Sequence, residues 1–232
     1  MANDLRLKPR HRREAKESQE WENWKMAEEK EMRGMVDNGV WETIDRPKDN
    51  LAVGTKMLYK HKISKNGKVE IYKCRLVALG ILQIEGIHYT KKYSSTPATV
   101  FIRMFSATAV AKDGELRHFD ADQAFLKAEI DKEVYIEIPE RFQYFPEAAG
   151  KLSKAIYGLV QGGRCWNIKF CDVTAIGFQQ SRADLCMFRK VVDGEVEIVV
   201  VLRVDDILSR AKDRAMMEWF ATQLGGRFKL ED

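Results

Sequence analysis

Three aspartates in two unlike settings are the residues best suited to chemistry. Asp120 stands in His118-Phe-Asp-Ala-Asp-Gln-Ala-Phe-Leu126, and Asp205-Asp206 in Val199-Val-Val-Leu-Arg-Val-Asp-Asp-Ile-Leu208. Each setting predicts an apolar strand that delivers a carboxylate at its end or turn. Magnesium prefers carboxylate and phosphate oxygens and keeps several waters. Two strand-borne carboxylates from distant positions are what a two-metal phosphoryl-transfer site needs, with its ions about 3.5–4 Å apart. Nucleotide joining is therefore the first chemistry to expect.

Adjacent strand residues point to opposite faces, so Asp205 and Asp206 share a site only if the backbone turns between them. A hairpin tip, rising over 200–203 and returning over 207–209, supplies that turn, and Asp favours turns. Such a pair can equally be a solvated turn, and Asp122 can simply cap a short turn. Asp120 is harder to dismiss. The strand before Ala124-Phe125-Leu126 reads as buried, where a carboxylate is costly unless paired or metal-bound.

The elements that must position these residues can be read from pattern. Residues 13–38 are strong helix formers with Trp21, Trp24, Met32, Met35 and Val36 at helical spacing, and Asn38-Gly39 is a stop signal. Strands over 56–63 and 69–78 flank an Asn66-Gly67 hairpin turn. Lys73, Arg75 and Val77 alternate onto one face, either a triphosphate clamp or a solvated face. An irregular connection over 80–97 leads to a helix over 99–112. Strands follow over 116–121 and 133–138, then a helix over 164–176 ended by Gly177. Strands over 185–192 and 196–202 form a hairpin across Asp193-Gly194, and a helix covers 213–224. This irregular alternation predicts an α+β fold.

Composition narrows the class. With 232 residues, 45% hydrophobic and 32% charged, the chain can bury a real core. No apolar run reaches the roughly 20 residues that span a bilayer, and the first residues carry no secretory signal. The expectation is an intracellular protein that makes no membrane contact. The net charge of +4 is too mild to demonstrate nucleic-acid binding. Arg6, Lys8, Arg10, Arg12 and Arg13 crowd a basic head over 1–20. It reads as a disordered tail, with phosphate contact or a localisation signal as the alternatives. Cys74, Cys165, Cys171 and Cys186 lack metal-type spacing, so free thiols in a reducing compartment are expected.

From about Trp21 onward, an ordered series of motifs resembles the reverse transcriptase of copia-type LTR retrotransposons. It includes Asn38-Gly-Val-Trp41, Lys73-Cys-Arg-Leu-Val-Ala-Leu-Gly80, Gln83, Gly86-Ile-His-Tyr89 and Ile102-Arg103. It continues through Phe119-Asp-Ala-Asp-Gln-Ala-Phe-Leu126, Glu133-Val-Tyr-Ile136, Pro139 and Phe142. Leu152-Ser-Lys-Ala-Ile-Tyr-Gly-Leu159, Gln161, Arg164, Trp166 and Gly177-Phe178 follow. Ser181, Asp184, Phe188 and Val204-Asp-Asp-Ile207 complete the series.

The resemblance implies an RNA-directed DNA polymerase with fingers mainly over 21–115 and palm mainly over 116–232, the palm a ferredoxin-like sheet with helices. It implies two Mg²⁺ ions, or Mn²⁺ in their place, held by Asp120, Asp205 and Asp206, with Asp206 the less direct. An RNA or DNA template with primer would be the partner and dNTPs the substrate. Lys73 and Arg75 would contact the triphosphate and Gln161 would line the nucleotide pocket. Phe125, unless plain core, would lie beneath the incoming sugar and reject a 2′-hydroxyl.

Departures from the family are Arg203 for the usual tyrosine, Val160 for lysine, Gly162-Gly163 for Ala-Pro and Ser95-Thr96-Pro97 for Ser-Pro-Val. The sequence ends at Phe228-Lys-Leu-Glu-Asp232, where the family continues into primer grip, thumb and RNase H, so a C-terminally truncated domain is expected. Arg203 and that ending motivate an alternative, a catalytically inactive remnant or weak nucleic-acid-binding module. A non-polymerase α+β module with an accidental acidic turn is a third reading.

Overall fold

The computed structural model of the chain describes residues 8–48, 52–64 and 69–231. In chain order its elements begin with α1 (Arg12–Glu17), α2 (Trp21–Asp37), β1 (Trp41–Asp45), β2 (Thr55–Ile63), β3 (Val69–Ala78), α3 (Thr99–Ala111) and β4 (Glu115–Ala121). They continue with β5 (Tyr135–Glu137), β6 (Ala148–Leu152), α4 (Gly162–Phe170), β7 (Phe178–Gln180), β8 (Met187–Val192) and β9 (Glu195–Arg203). The last are β10 (Asp206–Ala211), α5 (Arg214–Gly225) and β11 (Leu230–Glu231). The fold is mixed α and β with several sheets, in keeping with the expected α+β class.

The backbone clusters into two compact units that interleave in sequence: 1–90 with 130–162, and 91–129 with 163–232. This division differs from a single boundary near residue 115. Residues 130–162 return to the first unit because β5 and β6 pair there with β1, in the order β1-β6-β5. The Asn66-Gly67 turn lies outside the described residues, as do residues 1–7.

In the first unit, the expected helix over 13–38 is two helices. Ser18 adopts an extended conformation and its hydroxyl donates to the Ala15 carbonyl, which stops α1. Described residues of the basic head are therefore helical over Arg12–Glu17, with Ala15 fully buried. Asn38 and Gly39 do end α2, Gly39 taking φ +59°. One face of the β2–β3 hairpin (Met57, Tyr59, Cys74, Leu76) is buried, and α2 packs on β3. The chain also makes one very close approach, between Gly80 and Gly158. A Cβ on Gly80 would lie 2.2 Å from the Gly158 carbonyl oxygen. One on Gly158, which has φ +86°, would lie 2.2 Å from that of Ala78. Only glycine fits both positions.

The second unit is built on a six-stranded sheet of order β11-β4-β10-β9-β8-β7. The β8–β9 hairpin turns at Asp193-Gly194 as expected, with φ of 51° and 84°, the double positive φ of a tight two-residue turn. Asp213 caps α5 by accepting from the Met216 amide. Helix α5 packs on β4, β9 and β10 through Phe119 and Phe220, at 5.9 Å edge to face, with Ile207 and Ser209 on the same buried face. Trp166, Phe170, Phe188 and Phe228 extend this core with ring centroids 5.2–5.9 Å apart. The helix expected over 164–176 is α4 followed by a 3-10 segment, Cys171–Ile176, ended by Gly177 at φ +90°. Among the described residues no helix is long and apolar enough to cross a membrane.

Candidate active site

Strand pairing brings the two acidic motifs together. Asp206 is the direct partner of Asp120 across the antiparallel β4–β10 pair, and the Ala121 amide donates to the Asp205 carbonyl at 3.1 Å. Directly opposed residues share a sheet face with Cβ atoms roughly 4.5–5.5 Å apart. Asp120 and Asp206 thus lie on the side opposite Phe119 and Ile207, away from α5. The turn falls at Val204-Asp205, with Asp206 already in the returning strand opposite Arg203. The expected turn between the two aspartates is displaced by one residue.

The tip is strained. Val204 has φ 58°, the only β-branched residue among the described positive-φ positions. A β-branched side chain there is a genuine outlier, and such strain persists only where the surroundings impose it. Part of that imposition is visible: fully buried Trp166 donates its indole N–H to the Val204 carbonyl at 2.5 Å.

Neighbouring charges are distributed unevenly. His118 Nε2 lies 2.9 Å from Asp206 Oδ1, both side chains about half exposed. Asp122 forms an ion pair with Lys229 at 3.1 Å, and its amide donates to the Lys229 carbonyl. Its place is thus a strand-edge contact. Asp120 is half-buried, so the costly deep burial expected of it does not arise. A smaller penalty suits a ligand that must meet a solvated ion. Among the described residues, no group of three or more His, Cys, Asp or Glu side chains forms a metal cage. Magnesium does not require one, since it binds through one or two carboxylates together with substrate phosphates and water. Hard oxygen donors on one face fit such an ion.

Phe125 sits on a 3-10 turn, Ala124–Lys127, just past Asp120. It is partly exposed between the fully buried Ala124 and Leu126. The turn begins at Gln123 in the left-handed region. Partial exposure distinguishes this ring from its core neighbours.

The remaining expected site residues belong to the first unit. Register confirms that Lys73 and Arg75 share a face, and it adds Lys56, Lys60 and Lys62 from β2 to that face. The Arg75 guanidinium lies over the Tyr157 ring at 4.5 Å, which fixes its direction. Gln161 is fully buried. Its amide accepts from Gln83 at 3.0 Å and donates to the His88 carbonyl at 2.9 Å, while Gln83 accepts from the Val160 amide. That commitment makes Gln161 a clamp on the loop after β3.

Sequence reading missed the strongest electrostatic feature of the first unit. Glu28, fully buried on α2, receives Arg12 at 3.2 Å, Arg141 at 2.8 Å and the Tyr59 hydroxyl at 2.6 Å. Glu31 accepts from the Leu76 amide at 3.0 Å. Burial, followed by Glu28, drives the Tyr59 hydroxyl far above its usual range. The available signal was spacing, since both glutamates fall on the apolar stripe of Trp24, Ala27, Met32 and Met35.

The chain is similar to known sequences over most of its length. Residues 38–232 match the family described as reverse transcriptase (RNA-dependent DNA polymerase). The chain is 29% identical over 215 residues, 91% of its length, to the retrovirus-related Pol polyprotein from transposon RE1 of Arabidopsis thaliana. It is 30% identical over 213 residues (89%) to that from transposon TNT 1-94 of Nicotiana tabacum. It is 26% identical over 201 residues (85%) to the truncated transposon Ty1-A Gag-Pol polyprotein of Saccharomyces cerevisiae. The matches span only 15–16% of those relatives' own lengths. With a family match over most of the chain and the paired acidic motifs inside it, this chain belongs to the reverse transcriptase (RNA-dependent DNA polymerase) family, in its copia-type branch.

Proposed function

We propose that this chain is the catalytic core of an RNA-directed DNA polymerase, adding deoxynucleoside monophosphates to a primer 3′-hydroxyl with release of pyrophosphate. The second unit takes the part of the palm and the β2–β3 hairpin that of the fingers. The observation that carries this reading is the direct pairing of Asp206 with Asp120, with the Asp205 carbonyl bonded beside them. Asp120 and Asp205 would hold two Mg²⁺ ions, or Mn²⁺, and Asp206, with one oxygen engaged by His118, would support them. When bound, the ions activate the attacking oxygen and steady the leaving one.

The protein's own contributions are positional. The paired strands hold Asp120 and Asp206 on one face beside the tip that carries Asp205, and the Trp166 indole bonds that strained tip. Phe125 excludes a 2′-hydroxyl by clash. In the first unit, the lysines and Arg75 on the open hairpin face suit phosphate oxygens, Lys73 and Arg75 those of the triphosphate. Gln161 acts through the loop it clamps.

The test is primer extension on a primed RNA template with Mg²⁺. Wild-type protein should extend the primer, and Asp120→Asn should abolish extension. Equal extension by both would refute the role of Asp120. A second reading, binding of nucleic acid without catalysis, is favoured by Arg203, an exposed cation at the tip. It predicts binding of the same template-primer with no extension at all.

A further inference from the structure

Asp206 has two basic neighbours on its sheet face, and the fold pairs it with only one. Arg203 is its direct partner on β9, whereas His118, opposite Leu208 on β4, is a diagonal neighbour. Direct partners are normally the closer pair. Yet it is the imidazole that reaches Asp206, at 2.9 Å, and Arg203 stays exposed with no ion pair among the described residues. A carboxylate oxygen only accepts, so Nε2 carries the hydrogen in this contact. The short, stiff imidazole loses less freedom on ordering than the long, rotamer-rich arginine side chain.

We propose that His118 is a positioning residue whose hydrogen bond to Asp206 keeps that carboxylate from Arg203, leaving the guanidinium at the tip free to bind a backbone phosphate of a nucleic-acid strand. The inference rests on the polymerase reading for its ligand, but its logic is local. An arginine closed onto Asp206 presents no net charge to a phosphate. An arginine denied that partner presents a planar fork that matches phosphate oxygens. Both His118 and Asp206 are about half exposed, at 53% and 47%, so neither holds the core together, and substitution at 118 leaves the fold intact.

The experiment measures the salt dependence of binding, which needs no catalysis. A fluorescently labelled primed RNA template is titrated with protein at several NaCl concentrations, roughly 50 to 200 mM, and log K is plotted against log salt. Arg203→Gln should lower the slope by about 0.7–0.9, the loss of one phosphate contact. His118→Ala should lower it equally, because Asp206 then closes onto Arg203, and the double variant should lower it no further. His118→Gln, which restores an N–H donor, should keep the wild-type slope. A wild-type slope in His118→Ala, an unchanged slope in Arg203→Gln, additive losses in the double variant, or a Gln variant that behaves like Ala would each overturn the proposal. Absence of wild-type binding to the template would instead overturn the nucleic-acid reading itself, and this inference with it.

Discussion

The indole of Trp166, on α4, holds the carbonyl of Val204, the residue that bends backwards at the tip of the β9–β10 hairpin. One buried donor thus fixes the one β-branched left-handed residue among those described, adjacent in sequence to Asp205. Trp166→Phe keeps an aromatic ring but removes the N–H. Stability to urea should fall by about 1 kcal/mol, the loss of one part-buried hydrogen bond together with some packing. Primer extension should fall more steeply than stability, because the released tip lets Asp205 drift. A variant as stable and active as wild type would show the bond to be incidental.

Glu28 is a buried carboxylate with three partners from three elements: Arg12 of α1, Tyr59 of β2 and Arg141. Removing the carboxylate takes the ion-pair partner from Arg12 and leaves Arg141 with Glu29 alone. Glu28→Ala should destabilise the protein by about 3–5 kcal/mol, read as a shift of the urea midpoint. Arg12→Ala should cost less, since Arg141 still neutralises Glu28. A loss below about 1 kcal/mol for Glu28→Ala would mean the cluster is solvated in solution.

The thiols should be inert in the folded protein. Burial, with Asp184 adding to it, pushes Cys186 up to about 12. Burial and the two buried glutamates raise Cys74 further. Burial and then Asp172 raise Cys171, which alone of the four is only partly buried. A raised value keeps the thiol protonated, so at pH 8 very little of Cys186 is thiolate. Iodoacetamide at pH 8, followed by intact mass, should modify Cys171 first and slowly, with rates rising as pH rises. Cys74, Cys165 and Cys186 should react only after unfolding. Labelling of Cys186 as fast as Cys171 without denaturant would contradict the packing around β8.

Phe125 lies on the turn after Asp120 and is open to solvent where Ala124 and Leu126 are not. If its ring excludes the 2′-hydroxyl, Phe125→Val should raise incorporation of ribonucleotides relative to deoxyribonucleotides at least tenfold, about 1.4 kcal/mol of lost discrimination. Little change in stability is expected, since the ring is not fully buried. Competitive primer extension measures the ratio. An unchanged ratio would return Phe125 to a packing role.

Much of the second unit was legible because its signals are local. Val196 to Leu202 is an almost unbroken apolar run, Asp193-Gly194 supplies the double positive φ of its turn, and Asp213 caps the next helix. The same holds for the β2–β3 strands and the Asn38-Gly39 stop. In the β1-β6-β5 sheet, β5 falls within the strand expected over 133–138, whereas β1 and β6 gave no such signal. Ala148-Ala-Gly-Lys-Leu152 has low strand propensity and is selected by space, for a Cβ on Gly150 would lie 3.0 Å from the Trp41 ring. Glu28 was missed because polar residues default to the surface, and only packing shows which are buried with every partner supplied.

By itself the sequence determined the chemistry on offer: three carboxylates at strand ends, a cationic hairpin face, and the order of motifs that marks the family. Tertiary structure decided which of them meet. A slip of one residue between β4 and β10 would turn Asp206 to the face covered by α5, away from Asp120. That register depends on pairing between segments 86 to 96 positions apart, whose buried faces must match. No local pattern encodes such a match, and the site exists only once the sheet has formed.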